Sequence, residues 1–237
     1  MPETFSLNEW VFTTHQSLLG SEAEIAEAEA ECGIHPSPEM FFVKSSVTVS
    51  NKEREFKLVF DPVSALRHCR LSSSDKDIFA VSDLPRLKVR VAPLWEKSRS
   101  QLSNVLGDIR EVILDHDWTF TTNYLGDTTS TPSQSKMHSD EFLPVPLLVD
   151  QGIPILFYGE VVFWEDELHD NGCSKYSIRL RVTEKYWFIL SLFSLKLEGV
   201  ADRHVYTRHF HMLGSDTILR EVRVEEKGWV FQDKIVI

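Results

Sequence analysis

The sequence predicts an α+β fold, built as a single domain of two stacked, mainly antiparallel β-sheets with a few short peripheral helices. Three observations support this fold class. Segments with alternating apolar and polar residues outnumber the helix signals, and a tight turn joins two of them. The chain has 237 residues, of which 42% are hydrophobic, so it is long enough to bury one large core.

Helix signals occur at three places. A capping-box pattern at Ser21–Glu24 opens an alanine- and glutamate-rich stretch that we expect to continue to about Cys32. The pair Asp61-Pro62, a cap followed by proline at the first helical position, predicts a short helix over residues 63–69. A similar start at proline predicts a third helix over residues 93–104.

Strand signals dominate the rest of the chain. Apolar residues alternate with polar or basic ones over residues 56–60, 87–91 and 178–182. Because side chains alternate between the two faces of a strand, the apolar set lies on one face and the basic set on the other. These segments are therefore expected to cover a core with one face only.

One hairpin and one further strand pair can be placed near the C-terminus. Residues 187–197 are apolar on both faces in their first half, which indicates a central strand covered on both sides. Glu184-Lys185 resembles a tight turn, so residues 176–197 form a predicted hairpin. Residues 217–224 and 228–236 are predicted to pair as two more strands.

Only residues 126–140 are rich in turn and disorder formers. Strand-like sequence continues on both sides of this stretch. We therefore expect a mobile surface loop within one domain, residues 1–237, rather than a linker between two domains.

Charge and composition exclude several classes of protein. A formal net charge of -11 argues against nonspecific binding to nucleic acid or to an anionic membrane. Residues 1–9 show no basic-then-apolar pattern, so we expect no leader. The longest apolar segment, residues 186–195, is too short to span a bilayer. The three cysteines are far apart and form no CxxC pair, as expected of free thiols in a reducing compartment. We expect a monomer of the cytoplasm or the nucleus.

The acidic run EDELHD, residues 165–170, is the candidate functional motif. Glu165 and Glu167 share one face of a strand, but the spacing matches neither the zinc motif HExxH nor a calcium-binding loop. The alternative is a hairpin end that serves as an interaction surface, with Asn171-Gly172 in the turn and Asp170 capping it. We favour the second interpretation. A metal-dependent hydrolase that uses this cluster stays open as an alternative.

Two histidines near the C-terminus require the same comparison. In a strand, His209 and His211 face the same way, so they are able to bind one zinc ion together with further ligands. No cysteine or acidic residue lies at a sequence spacing that would complete such a zinc site. We interpret them as exposed, hydrogen-bonding residues. Motifs for a serine nucleophile, nucleotide binding or kinase activity are absent from the sequence.

The chain resembles one known family along nearly its whole length. The similar segments, in order, are Pro38-Glu39-Met40-Phe41-Phe42, Ala65-Leu66, Lys88-Val89, Trp95, Ser98-Arg99, the run 117–124 (DWTFTTNY), the run 154–158 (PILFY), the run 165–172 (EDELHDNG), Gly199-Val200, Arg203, Thr207-Arg208, His211 and Leu219-Arg220-Glu221. These segments resemble the TIPRL family of TOR signalling pathway regulators.

This resemblance implies a non-enzymatic regulator without cofactor or metal. Members of the family bind the catalytic subunit of type 2A-family serine/threonine protein phosphatases, and we expect this chain to bind and inhibit such a subunit. An acidic surface would suit a basic patch on that partner. The residues expected to serve partner binding are Glu165, Asp166, Glu167, His169, Asp170, Arg203, Arg208, Arg220 and Glu221.

A physical role for two of these residues can be specified. Arg208 and Arg220 lie in strand-like sequence, where an unpaired guanidinium would be costly to bury. We expect both to grip carboxylates of the run 165–170 through paired hydrogen bonds. Such a network would hold the edge of a partner-binding cleft.

Several positions depart from the family pattern. Ser64, Tyr206, Met212 and Val222 stand where the family has acidic residues or, in the last case, tyrosine. We expect these changes to alter partner choice or affinity, so a diverged binding domain with another protein or peptide ligand is a further alternative. Many relatives carry a longer C-terminal tail. The chain ends at Ile237, and we expect it to lack a tail-based contact.

Overall fold

A computed structural model describes residues 1–33, 37–71, 124–129, 133–136, 143–167, 172–197, 201–224 and 228–237. The helices are α1 (Glu22–Cys32), α2 (Pro62–Leu71) and α3 (Val145–Val149). The strands are β1 (Glu3–Leu7), β2 (Trp10–His15), β3 (Met40–Phe41), β4 (Ser46–Asn51), β5 (Phe56–Phe60), β6 (Asp127–Thr128), β7 (Ser133–Lys136), β8 (Ile155–Asp166), β9 (Gly172–Thr183), β10 (Tyr186–Leu197), β11 (Ala201–Met212), β12 (Thr217–Val224) and β13 (Gly228–Val236).

These strands form two sheets. The smaller sheet has five strands in the order β1-β2-β4-β5-β6, and the larger has eight in the order β3-β8-β9-β10-β11-β12-β13-β7. All pairings between neighbouring strands are antiparallel. The predicted α+β class, with two mainly antiparallel sheets and short helices, is confirmed.

Local sequence explains both predicted helices within the described residues. In α1 the Ser21 hydroxyl accepts a hydrogen bond from the Glu24 backbone at 3.4 Å, and the Glu24 carboxylate accepts one from the Ser21 backbone at 2.9 Å. Gly33 ends the helix in the left-handed conformation. The Asp61 carboxylate caps α2 by accepting from the Ser64 backbone at 2.8 Å. The third predicted helix, residues 93–104, lies outside the described residues.

The strand predictions in the C-terminal half are confirmed. The predicted hairpin corresponds to β9 and β10, and the predicted strand pair corresponds to β12 and β13. The segment 56–60 is β5, whereas 87–91 lies outside the described residues. Sequence analysis did not predict β1, β2 and β4, although β4 (SVTVSN) alternates, with Val47 and Val49 buried. Within the predicted loop 126–140, β6 and β7 are short strands, and 130–132 and 137–140 are not described.

The main hydrophobic core lies between the two sheets. Trp10 of the smaller sheet contacts Trp187 and His211 of the larger one, with ring centroids 5.5 and 4.6 Å apart. The sheets approach closely where β2 crosses β8, because a Cβ atom at Gly159 would lie 2.6 Å from the Thr14 side chain. Residues from both sheets therefore share one core.

The larger sheet also has a second face, which points away from the smaller sheet and is called the outer face below. One end of it carries a smaller hydrophobic cluster in which Leu143, beside α3, packs with Tyr186 and Phe210. The Arg181 guanidinium donates to the Leu148 carbonyl at 3.0 Å and lies over the Tyr186 ring. None of the described helices is both long and apolar enough to cross a membrane.

Candidate functional site

The acidic run 165–170 connects two paired strands. β8 ends at Asp166, β9 begins at Gly172, and Asp166 lies opposite Ser174 in the antiparallel pair. The strands on either side are thus arranged as the predicted hairpin requires. His169 and Asp170 fall outside the described residues, so their predicted roles remain predictions.

The described carboxylates of this run lie in three different environments. Glu165 forms an ion pair with Lys175 on the neighbouring strand. Asp166 is buried, with 6% of its surface exposed, whereas Glu167 is exposed. The three carboxylates therefore do not form a single acidic surface, because successive residues of a strand face opposite sides.

The expected arginine–carboxylate network does not form with the described part of this run. Arg220 instead pairs with Asp233, directly opposite on β13, with Nε and Oδ1 2.6 Å apart and a second bond from Nη2 to Oδ2. Arg208 approaches Glu221 on the adjacent strand, with 3.9 Å between Nη1 and Oε2.

Sheet order gives the physical reason for this correction. β9 and β10 lie between β8 and β11, so three strand spacings, or about 14 Å, separate the backbones that carry Glu165 and Arg208. Arg220 is one strand further away. Arg203 lies on β11 opposite Leu195, and its side chain is not among those described.

The expectation that His209 and His211 are exposed is wrong. Both side chains are fully buried between the sheets. The ring of His211 lies near Trp10 and Trp187, and its Nδ1 is 2.8 Å from the Thr217 carbonyl oxygen. The ring of His209 packs edge-on against Phe60 and approaches the Leu125 backbone.

Burial keeps both imidazoles neutral. It lowers the pKa of His209 to about 3, with the positive charge of Arg220 acting in the same direction. It lowers the pKa of His211 to about 4, against the bond to the Thr217 carbonyl. Both histidines are core residues at neutral pH.

The positions of Glu165, His209 and His211 also test the alternative of a metal site. Glu165 faces outward beside Lys175, whereas His209 and His211 lie between the sheets. These side chains are on opposite faces of the larger sheet and cannot bind one ion together. Among the residues that the structure describes, no three His, Cys, Asp or Glu side chains are grouped as metal ligands.

The outer face carries a surface that sequence reasoning missed. Its centre is formed by partly exposed apolar and aromatic side chains of β10 and β11 beside an exposed arginine of β9 and a partly exposed one of β11. This outer patch consists of Arg179, Leu190, Leu192, His204, Tyr206 and Arg208. Leu190 lies between Arg179 and Arg208, and Leu192 lies opposite Tyr206. The signal in the sequence that could have predicted this surface is the apolar character of residues 187–197 on both faces of the strand.

Charge on the outer face contrasts with the acidic chain. Its described basic side chains are Lys175, Arg179, Arg181, Lys196, Arg208, Arg223 and Lys234, and its described acidic ones are Glu160, Glu165 and Glu221. Glu221 is buried beside the outer patch, and burial raises the pKa of its carboxyl, opposed by the Leu143 backbone, Arg208 and Gln232. Tyrosine and arginine next to apolar residues are typical of protein–protein interfaces.

Comparison with known proteins identifies relatives across eukaryotes. A sequence profile of the TIP41-like family matches residues 40–231. A "TIP41-like protein" of Arabidopsis thaliana is 30% identical over 91% of this chain and 74% of its own length. The "Type 2A phosphatase activator tip41" of Schizosaccharomyces pombe is 27% identical over 99% of this chain and 84% of its own length. A relative of the same description in Saccharomyces cerevisiae is 28% identical over 92% of this chain and 61% of its own.

Proposed function

Since the chain belongs to the TIP41-like family, we propose that it binds the catalytic subunit of a type 2A-family serine/threonine phosphatase and regulates it without catalysing a reaction itself. The observation that carries this proposal is the match over most of the chain to relatives named for type 2A phosphatases. The proposal places this regulation within TOR signalling in the cytoplasm, and it needs no cofactor.

We place the docking site on the outer patch. Of the residues expected to serve binding, Arg208 belongs to this patch, Glu221 borders it, and Glu165 lies on the same face of the sheet. Asp166 and Arg220 are buried, and Arg220 pairs with Asp233, so neither side chain belongs to the outer patch. Tyr206, which departs from the family pattern, lies within the patch, so it is a candidate determinant of partner choice.

The experiment compares binding of a purified type 2A catalytic subunit to wild-type protein and to variants of the outer patch. Truncation of a central tyrosine or arginine at an interface often costs about 2 kcal/mol, so Tyr206→Ala and Arg208→Glu should each weaken binding roughly thirtyfold. Lys57→Glu is a matched charge-reversal control, because Lys57 is exposed on the smaller sheet. It should bind as the wild type does.

Two outcomes decide between the parts of this proposal. Absence of binding by wild-type protein across several salt concentrations would overturn the partner, and affinity capture with mass spectrometry would then identify the ligand of a diverged domain. Equal weakening by Lys57→Glu and Arg208→Glu would overturn the placement of the docking site. Thermal melts of each variant separate loss of binding from loss of folding.

The direction of regulation is measured separately. We propose that binding lowers phosphatase activity, and a titration of the catalytic subunit with wild-type protein should reduce substrate turnover. An increase in turnover would agree with the word "activator" in the names of the two yeast relatives and would overturn this part of the proposal. Because charges on the two partners steer association, the association rate should fall as salt rises.

A further inference from the structure

Most of β8 lies at the edge of the larger sheet. β9 pairs with it on one side along nearly its whole length. On the other side, β3 pairs only with Trp164 and Glu165. No described strand neighbours residues 157–161 on that side. This stretch is an edge at which a further strand would find room.

The side chain of Gln16 shows that this edge can pair with a peptide-like amide. The Gln16 carboxamide oxygen accepts from the Val162 backbone N–H at 2.7 Å, and its Nε2 donates to the Val162 carbonyl at 3.2 Å. The amide thus occupies the place of a peptide group in a neighbouring strand. It stands at one end of residues 157–161, and a break in register between Ile155 and Phe157 stands at the other.

Alternation along the strand identifies the backbone groups that face this edge. Because the Val162 groups point to Gln16, those of Tyr158 and Glu160 point in the same direction, whereas Gly159 and Val161 bond to β9. No described residue bonds to the backbone N–H or C=O of Tyr158 and Glu160 on that side. Among the described residues, these two donors and two acceptors have no partner on this side, and an added strand would bond to them.

The side chains beside this edge favour an added strand over solvent. Ile155, Leu156 and Tyr158 are 53%, 37% and 50% exposed. Proteins commonly protect free edges with charged residues, above all lysine, with proline or with β-bulges. The stretch 157–161 (FYGEV) contains neither lysine nor proline, its one charged residue is Glu160, and the two register shifts of β8 lie outside it.

We propose that this edge binds an extended, basic segment of a partner protein as an additional strand of the larger sheet. Main-chain hydrogen bonds to Tyr158 and Glu160 supply the pairing, and alternate side chains supply specificity. Two exposed carboxylates near the edge favour lysine or arginine. Glu3 of β1 lies opposite Thr14, which packs on Gly159. Glu160 lies on the edge itself and already pairs with Arg179, with Nε and Oε1 3.0 Å apart, so Glu3 is the stronger of the two determinants. The net charge of -11 acts in the same direction.

The free side of β8 points away from the outer patch, although Glu160 of β8 pairs with Arg179 of that patch. The experiment uses the purified chain without phosphatase, so a negative result would leave the proposed function untouched. The probe is a blocked heptapeptide of alternating valine and lysine. Two control peptides are the same sequence methylated on alternate backbone nitrogens and a version with glutamate in place of lysine.

The expected result is slower amide exchange, measured by NMR, at two positions. Saturating lysine peptide should slow exchange of the Tyr158 and Glu160 amides about tenfold, the effect of one net hydrogen bond. Exchange at Gly159 and Val161 should stay unchanged. The methylated peptide should give no protection, and the glutamate peptide should bind at least about tenfold more weakly.

A pair of variants tests the edge itself. Tyr158→Pro removes a donor that faces outward, so the pairing with β9 is retained while peptide affinity should fall about tenfold. Tyr158→Thr keeps the backbone donor and should retain most of the affinity. If the proline variant fails to fold, the methylated peptide still decides the question with wild-type protein.

Three results would overturn the proposal. One is equal protection by the methylated and unmethylated peptides, and another is equal affinity for the lysine and glutamate peptides. The third is protection of Tyr158 and Glu160 without peptide at concentrations where sedimentation shows a dimer. In that case a second copy of the chain occupies the edge.

Discussion

Arg220 and Asp233 place a complete ion pair between the sheets, with 4% exposure at each residue. A guanidinium joined to a carboxylate by two hydrogen bonds satisfies both charges, which explains how the core contains them. Removing one partner would leave the other buried without compensation. The pair therefore has a structural role, and this role can be seen only from the register of β12 and β13.

We predict that Arg220→Met and Asp233→Leu each lower the free energy of unfolding by about 3–5 kcal/mol, because each leaves a buried charge unpaired. The double variant should lose much less than the sum. Urea denaturation of the four proteins measures this coupling.

Asp166→Asn combined with Arg220→Met is the matched control for this cycle. Asp166 lies on β8, four strands from β12, so the two changes should be additive. Additivity of the Arg220 and Asp233 changes would show that their ion pair contributes no coupling energy.

We also predict that stability falls as pH decreases from about 6.5 toward 5. The buried histidines have folded-state pKa values of about 3 and about 4, below that of an unfolded histidine. Between these values the unfolded chain binds more protons, so acid favours unfolding. Each histidine should contribute about 2 kcal/mol of this loss by pH 5.

Urea denaturation at pH 7 and pH 5 checks this prediction. His209→Phe should show a smaller loss between the two pH values than the wild type. Thr207→Val is the control, since Thr207 is buried on the same face of β11 but does not titrate. An unchanged pH dependence in His209→Phe would show that His209 is not the group responsible.

At the scale of elements, the crossing of β2 over β8 fixes how the two sheets approach. Gly159 is needed there because the Thr14 side chain fills the space of a Cβ atom. We predict that Gly159→Ala destabilises the protein by about 1–3 kcal/mol through overpacking. Thermal unfolding measures the loss.

A compensating change gives the control for this prediction. Thr14→Ala removes the two Thr14 atoms that would lie 2.6 and 2.8 Å from the new Cβ. The double variant Thr14→Ala/Gly159→Ala should therefore be more stable than Gly159→Ala alone. If Thr14→Ala gives no such rescue, the glycine has another role.

Strands with many apolar residues were predictable, and strands rich in serine and threonine were missed. β9 alternates clearly because one of its faces covers the core, and β10 is apolar on both faces because each face is packed. β1, β2 and β4 carry serine and threonine on the outer side, and β4 was missed although its Val47 and Val49 alternate with these residues. Their place depends on pairing with strands distant in the chain.

At the scale of the whole molecule, one core joins both sheets through contacts such as Trp10 with Trp187. We predict that unfolding is a single transition, with tryptophan fluorescence and far-ultraviolet circular dichroism coinciding. Trp10→Ala should lower both midpoints together, with a loss of about 3–5 kcal/mol from the cavity.

Two separate transitions in the wild type would contradict the prediction of a single domain. Val145→Ala is the control, because Val145 is 52% exposed on α3 and outside the core between the sheets. It should leave the midpoints of both probes nearly unchanged. A large loss from this change would assign α3 a greater share of the stability.

The sequence by itself determined the fold class, two helices with their caps, the C-terminal strands and the family, because these depend on local periodicity and on motifs. It also singled out Arg208, Arg220, His209 and His211 as notable. Only the tertiary structure decided what these side chains contact. A shift of one residue turns a strand side chain from the outer face to the core, and strand order sets which charges are close. Arg208 and His209 are neighbours in the chain, yet Arg208 belongs to the proposed docking surface and His209 lies buried between the sheets.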